Sequence, residues 1–162
     1  MEDSLVHAGF QPEPLSRTGL VVWRNPDNVV ALSLNHKPVN SLDLDMLIGL
    51  VDLLDALSAT KPRALVLTSQ LGRVFSAGLD LNALHRPSEA GFRAFWSAFE
   101  EMWVRLYLFP FTTVAAIHGA APAGGAVMAL SCDYRIATTV SKIGLNETSI
   151  GMVPPPWLIA LA

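Results

Sequence analysis

The most constraining feature of this sequence is the alternation of continuous apolar runs with amphipathic helical segments. Val29–Leu34, Arg63–Ser69 and Phe111–Ile117 are short runs rich in β-branched and apolar residues, which is typical of buried strands. Between the first two, leucine and valine recur at three- and four-residue steps from Leu44 to Leu57, which predicts a helix. Strands without polar interruptions suit a parallel sheet covered on both faces. The pattern therefore predicts an α/β fold with a mostly parallel sheet and crossover connections.

A second helix is predicted after Ser88, which is a suitable N-cap. Its apolar face is formed by residues at helical spacing, namely Phe92, Phe95, Trp96, Phe99, Trp103 and Leu106. Further along, Gly125–Ser131 predicts a short buried helix. Asp133–Ala137 and Lys142–Gly144 are expected to be short strands or extended segments.

The bulk properties of the chain limit its class. Its 162 residues fit one domain, with a core over residues 21–162 after a loose N-terminal lead-in at residues 1–20. Hydrophobic residues make up 51% of the chain, so we expect a buried sheet. The net charge of −3, without any basic stripe, argues against a nucleic-acid surface. No apolar run reaches the roughly 20 residues that cross a bilayer.

The sequence lacks the spacings of several common catalytic sites. The four histidines show no metal-ligand spacing, so no metal site is expected. Cys132 is the single cysteine, which excludes an intrachain disulfide, and it is predicted to be a buried, inert thiol. Neither a G-x-S-x-G elbow nor a G-x-G-x-x-G motif occurs. Gly119 and Gly124 have the separation of a Walker A pair, but Gly125 stands where the lysine belongs.

Two segments consist of small residues where a ligand would need access to backbone N–H groups. Phe75–Leu81 follows the second apolar run and turns through Gly78, and Gly119–Gly125 leads from the third run into the short helix. Helix N-termini present unpaired N–H donors. Two such loops at the ends of parallel strands can place two N–H groups on one oxygen, as an oxyanion hole does. For either loop alone, a tight turn that uses glycine for a positive φ is the simpler interpretation.

Glu147 is the candidate proton-transfer residue. It lies in Ile143–Thr148 with no other acid near it and with apolar residues shortly after it. A carboxylate in such surroundings is suited to carry a proton. From the residues alone, a solvent-facing loop glutamate or a helix-cap partner for Asn146 is the simpler interpretation. Asp80 likewise fits an N-cap of the segment that begins after Gly78.

Four motifs in order resemble the crotonase superfamily, the enoyl-CoA hydratases and isomerases. They are Phe75–Leu81, His118–Gly125, Cys132–Ile136 and the pattern Gly144-x-x-Glu147 … Gly151. The likeness covers most of the chain, from about Asn28 to the last residue. It implies a crotonase-like fold of repeated ββα units with a mostly parallel sheet.

Within the superfamily, the chain is most similar to the mitochondrial Δ3,Δ2-enoyl-CoA isomerases. The similarity rests on Pro38–Leu42, Phe75–Leu81, Pro122–Gly125 and Ile143–Thr148. Hydratases carry a second glutamate shortly after the glycine loop, and that position is Val127 here. Hydration usually uses two carboxylates and a positioned water, whereas one carboxylate can move a proton from C2 to C4. Val127 therefore favours an isomerase over a hydratase.

The resemblance implies the roles of the site residues. The N–H groups of Leu79 and Gly124 form the oxyanion hole, Glu147 is the catalytic base, and Asn146 lies beside it in the pocket. The loop that lines the thioester and adenine region of coenzyme A consists of Ala77, Gly78, Leu79, Asp80 and Leu81. The substrate is an acyl-CoA thioester, and no metal or redox cofactor is needed because coenzyme A arrives with the substrate.

The resemblance also implies a setting for the protein. Full-length members form homotrimers in the mitochondrial matrix and act in the β-oxidation of unsaturated fatty acids. Their chains continue beyond the region of Pro156 and Trp157, so a C-terminal helical part is expected to be missing here. The first residues have the features of neither a secretory signal nor a presequence. Two alternatives stay open, namely an inactive truncated subunit with an interaction role and another crotonase activity such as hydration or thioester hydrolysis.

Overall fold

The structure is a computed structural model that describes residues 2–151, 153 and 156–161. In chain order, the strands are β1 Gln11–Pro12, β2 Leu20–Arg24, β3 Val29–Leu34, β4 Ser41–Leu42, β5 Ala64–Ser69, β6 Gly78–Leu79, β7 Thr112–Ile117, β8 Ala120–Pro122, β9 Tyr134–Ala137 and β10 Lys142–Gly144. The helices are α1 Glu2–His7, α2 Leu44–Ala59, α3 Glu89–Tyr107, α4 Gly124–Leu130 and α5 Pro156–Leu161, and a 3-10 helix covers Glu147–Ile150.

The main sheet has six strands in the order β1-β2-β3-β5-β7-β9. From β3 to β9 the neighbours are parallel, while β1 and β2 pair antiparallel to each other and β2 to β3. The parallel neighbours are joined by crossovers that contain α2, α3 and α4 in turn. The predicted α/β fold with a mostly parallel sheet is confirmed. Strand β2 was not among the predicted strands.

The two long helices begin at side-chain caps. Asp43 accepts the N–H of Met46 at 2.8 Å before α2, and Ser88 accepts the N–H of Gly91 at 3.0 Å before α3. These bonds satisfy first-turn N–H groups that have no acceptor within the helix. The predicted cap at Ser88 is therefore confirmed. Both helices bury an apolar face in the main core cluster, which α3 enters through Phe95 and other large residues.

Part of the N-terminal segment joins the main sheet through β1. Strand β1 pairs with β2, placing Gln11 opposite Arg24 and Pro12 opposite Trp23. Phe10 is buried in a small cluster with Trp23. The division of the chain at residue 20 stays a prediction.

Within the described residues, no helix combines the length and apolar composition that crossing a membrane requires.

Two small parallel pairs hold the loops that leave the main sheet. Strand β4 lies beside β6, with Leu42 opposite Leu79. Strand β8 lies beside β10, with Pro122 opposite Gly144. A single bridge between Val74 and Ala120 connects the loop after β5 to the loop after β7. The two small-residue loops of the sequence are therefore extended segments with fixed neighbours.

Cys132 follows the last turn of α4 and is buried, as the sequence predicts. Its side chain is 4% exposed, and its thiol donates to the carbonyl oxygen of Met128. Burial disfavours the thiolate and raises the pKa of Cys132 from 9.0 to about 12. The thiolate is the reactive form of cysteine, so this residue is expected to be inert.

We expect Cys132 to resist iodoacetamide in the native protein and to react in denaturant.

The folded state keeps the Cys132 thiol protonated. The contribution of this thiol to the free energy of unfolding is therefore complete below the unfolded pKa and is lost as the pH rises from about 9 towards 12. In that window the free energy of unfolding should fall by up to about 1.4 kcal/mol per pH unit more than in Cys132→Ala. Urea titrations of both proteins measure this, and equal pH slopes would contradict it.

Candidate active site

The N–H of Leu79 points away from the strand beside it. Asp80 N donates to Leu42 O at 3.0 Å. N–H groups of successive residues in an extended strand point to opposite sides. Because the N–H of Asp80 faces β4, the N–H of Leu79 faces the other way and takes no part in that ladder.

The N–H of Gly124 is a helix N-terminal donor. Gly124 is the first residue of α4, and the first N–H groups of a helix have no acceptor within it. The preceding residue, Ala123, has a φ of +47° and no side-chain oxygen to cap them. Its own N–H donates to Gly144 O at 3.0 Å, which fixes the helix start against β10. The start of α4 therefore offers N–H donors to an external acceptor.

Glycine at position 78 lets the two loops meet. Gly78 has a φ of +87°, and a β-carbon there would lie 3.0 Å from the nitrogen of Gly124. A β-carbon on Gly124 would in turn lie 3.3 Å from the Cα of Gly78 and 3.3 Å from Cδ2 of Leu79. The residues that the sequence paired as an oxyanion hole are therefore side by side. Such proximity is required if two N–H groups are to share one oxygen.

Gly125 and Gly119 allow two further close approaches between backbone segments near this site. A β-carbon on Gly125 would lie 2.5 Å from Ser76 O, and one on Gly119 would lie 2.2 Å from Arg73 O. Both distances are far below van der Waals contact, so neither position has room for a side chain. The glycines of this loop are required by close approach, with φ values outside the left-handed region.

A buried amide supports the same loop from the other side. Asn40 is completely buried, and its Nδ2 donates to Phe75 O at 2.9 Å and to Ser69 Oγ at 2.8 Å. Its Oδ1 accepts the N–H of His36 at 2.7 Å. Asn40 lies in the family motif Pro38–Leu42, but the resemblance assigned it no role. No local pattern distinguishes its role, because its partner Phe75 lies 35 residues away.

Glu147 begins the 3-10 helix that follows β10. It lies three positions after Gly144, so the Cα atoms of the two residues lie within about 11 Å of each other. Its side chain is half-buried, and Oε2 is buried without a hydrogen-bond partner in the part of the chain that the structure describes. A buried carboxylate oxygen without a partner is costly, so a ligand that donates to Oε2 would remove this penalty.

The remaining predicted residues differ in their surroundings. Asn146 is exposed, its side chain makes no capping bond, and its carbonyl accepts the N–H of Ser149. Its predicted place inside the pocket stays a prediction. Asp80 accepts the N–H of Asn82 at 2.9 Å, the turn-initiating bond expected of a cap. Leu81 is 55% exposed.

A groove of about 830 Å³ opens beside Ala77, between the loops after β3, β5 and β7. Its charged lining residues are Lys37 and Arg73, and no acidic side chain lines it among the described residues. We call it the cationic groove. Gln70 also lines it, with a buried Nε2 that has no hydrogen-bond partner in the described structure.

Within residues 2–151, 153 and 156–161, no group of three His, Cys, Asp or Glu side chains could hold a metal ion.

Comparisons with known proteins agree with this arrangement. The family model for enoyl-CoA hydratase/isomerase matches residues 24–161. Mitochondrial enoyl-CoA delta isomerase 1 of Rattus norvegicus is 45% identical over 142 residues, which are 86% of this chain and 49% of the relative. Mitochondrial methylglutaconyl-CoA hydratase of Homo sapiens is 33% identical over 128 residues, 78% of this chain and 38% of that protein. The chain thus spans about half the length, or less, of these curated relatives.

A solved structure matches as well. The crystal structure of human mitochondrial delta3-delta2-enoyl-CoA isomerase superposes with a TM-score of 0.81 at 40% sequence identity. The match covers 94% of this chain and 57% of that one. The predicted fold is therefore confirmed over nearly all of the chain.

Gly125→Ala is expected to destabilise the protein by about 1–3 kcal/mol, because the new β-carbon would overlap Ser76 O. Alanine is otherwise the better helix former by about 1 kcal/mol, so the sign itself is diagnostic. Gly72→Ala is the matched control, since a β-carbon there meets nothing within 4 Å. Urea unfolding of the two variants measures the difference, and equal stabilities would contradict the close approach.

Proposed function

Because the chain belongs to the enoyl-CoA hydratase/isomerase family, we propose that it converts cis or trans 3-enoyl-CoA into 2-trans-enoyl-CoA. The observation that carries the proposal is the direct approach of Gly78 to the nitrogen of Gly124. We propose that the N–H groups of Leu79 and Gly124 both face this junction of the two loops. An oxygen bound there would receive two backbone hydrogen bonds.

The chemistry follows from the substrate. The C2 protons of a 3-enoyl thioester are acidic because the carbanion delocalises over the carbonyl and the C3–C4 double bond. Two N–H donors would stabilise the negative oxygen of this dienolate. In other enzymes, loss of one such donor costs about 10²–10³ in rate. The oxyanion hole is therefore assigned to the N–H groups of Leu79 and Gly124.

We assign the proton transfer to Glu147. Its carboxylate would take a proton from C2, the electron pair would shift so that C2=C3 replaces C3=C4, and the same proton would be delivered to C4. The unpartnered Oε2 supports this role, since it is an acceptor that no group of the described chain occupies. The bond between Ala123 N and Gly144 O links the segment of Glu147 to the start of α4.

Isomerisation is favoured over hydration by Val127. This residue is completely buried within the core cluster and is apolar at the position where hydratases place a second glutamate. One carboxylate suffices for a proton transfer within the substrate, whereas hydration needs a water to be activated. Since relatives of this chain include a methylglutaconyl-CoA hydratase, the products must be distinguished by experiment.

We propose that the cationic groove receives the phosphate-bearing part of coenzyme A. It lies beside Ala77, and its charged lining residues are both positive. The segment Ala77–Leu81, together with Gly124 and Asn146, would contact the rest of the thioester substrate. Coenzyme A is then part of the substrate, and the reaction as written uses no metal or redox cofactor.

The setting of the protein is proposed from its relatives. The rat relative is named a mitochondrial protein, and we propose the mitochondrial matrix for this chain as well. There it would act in the β-oxidation of unsaturated fatty acids. A homotrimer is proposed for the longer form of the family.

Glu147→Gln should lower kcat by about 10²–10⁴, because the amide cannot accept the C2 proton, while substrate affinity changes little. Ultraviolet absorbance of the conjugated 2-enoyl thioester follows the reaction, and mass spectrometry separates it from a hydrated product. Glu100→Gln is the control, since Glu100 is exposed on α3. Full turnover by Glu147→Gln would refute the assignment, and a wild-type hydrated product would favour hydration. A wild-type chain that binds substrate without turnover would favour the inactive subunit.

Arg73→Gln should raise KM for a CoA thioester by about 1.5- to 5-fold, the range expected for one exposed charge contact. The matching thioester of N-acetylcysteamine has no phosphate, so its KM should not change. Arg63→Gln is the control, because Arg63 is exposed beside the opposite end of β5. The effect should shrink as salt is added. An equal rise in KM for both thioesters would contradict a phosphate contact.

A further inference from the structure

We infer that Asn40 is a positioning residue for the oxyanion hole, because its buried amide holds the segment that carries the N–H of Leu79. The inference rests on the proposed function, since it concerns the efficiency of the same site. Asn40 itself does not contact the substrate in this assignment.

The amide of Asn40 joins the segment from Phe75 to Leu79, which we call the oxyanion loop, to the end of the main sheet. One Nδ2 bond goes to Ser69 Oγ at 2.8 Å, at the last residue of β5. The other goes to Phe75 O at 2.9 Å, four residues before Leu79. Ser69 Oγ also donates to Val74 O at 2.7 Å. The sheet therefore anchors the loop through two polar side chains that are completely buried.

A second connection leads from the backbone of Asn40 to Leu79. The carbonyl oxygen of Asn40 accepts the hydroxyl of Ser76 at 2.7 Å. The same hydroxyl oxygen accepts the N–H of Gly78 at 3.1 Å. This bond holds the peptide that precedes Gly78, one peptide before the one that carries the N–H of Leu79. Strand β4, which pairs with Leu79, begins directly after Asn40.

The amide of Asn40 is fully used, which makes it a stiff connection. Both Nδ2 protons have acceptors, and Oδ1 accepts the N–H of His36 at 2.7 Å. The backbone of Asn40 has a φ of +52°, a conformation that asparagine tolerates better than most residues. A small loss of alignment matters here, since a misplacement of about 1 Å at a reacting group can cost 10²-fold in rate.

A matched pair of variants tests the inference. Asn40→Gly removes the amide and keeps the positive φ accessible. Asn28→Gly makes the same change at φ +60° in the turn before β3, where the amide bonds Lys61 O and Arg24. Asn28 precedes β3 and Asn40 follows it, so the control lies at the far end of that strand. Both variants lose buried or half-buried amide bonds, but only one lies beside the oxyanion loop.

Asn40→Gly should lower kcat by about 10- to 100-fold with KM changed less than about threefold. It should also reduce the red shift of the ultraviolet band of bound 2-enoyl-CoA, which reports polarisation of the carbonyl by N–H donors. Ser76→Ala should move both readouts in the same direction, and Asn28→Gly should move neither. Wild-type kcat and band shift in Asn40→Gly would overturn the inference.

The remaining outcomes are also decisive. If Asn40→Gly does not fold, Ser76→Ala takes its place, and wild-type values of kcat and band shift in that variant would overturn the inference. If the wild-type chain shows neither turnover nor band shift, the proposed function fails, and amide hydrogen exchange decides the positioning role. Faster exchange at Gly78 and Asp80 in the variant then supports it, and unchanged exchange contradicts it.

Discussion

The carbonyl oxygen of Ser76 occupies the space where Gly125 would otherwise carry a β-carbon, and Gly78 lies against the nitrogen of Gly124 in the same way. These contacts place two backbone segments closer together than side chains allow. Because they are held so closely, Leu79 and the first residue of α4 lie side by side, as the proposed oxyanion hole requires. The small parallel pairs around them set the directions of these donors.

The polar side chains around this contact are buried. Whether each of their donors and acceptors has a hydrogen-bond partner therefore matters for the stability of the site. The amide of Asn40 has a partner for each of its polar atoms, so its burial does not carry the penalty of about 1–3 kcal/mol for an unpaired group. Oε2 of Glu147 lacks such a partner in the described structure. The amide of Asn40 is thus satisfied internally, while the candidate base retains an open acceptor. That contrast separates the residues that hold the site from the residue assigned to the chemistry.

Local sequence patterns predicted the parts of the structure that depend on local rules. Apolar runs marked strands such as Val29–Leu34, and the cap at Ser88 marked the start of α3. The run at Leu20–Arg24 carries the same signal and was recoverable. The role of Asn40 was not, because its partner Phe75 lies 35 residues away and sequence spacing does not reveal which polar side chain will be buried. The cationic groove likewise exists only once three loops are assembled.

The electrostatics of α4 connect the scaffold to the proposed chemistry. Its N-terminus offers Gly124 to the site, and Arg135 lies at its C-terminal end, where it donates to Ala129 O at 3.4 Å and to Cys132 O, just past the helix, at 2.7 Å. A cation at the C-terminus and an anion at the N-terminus are both favoured by the helix dipole. Most of α4 is buried, so little water screens this field. An enolate oxygen formed beside Gly124 would therefore meet donors that are already oriented, and stabilising it would require little rearrangement of the protein.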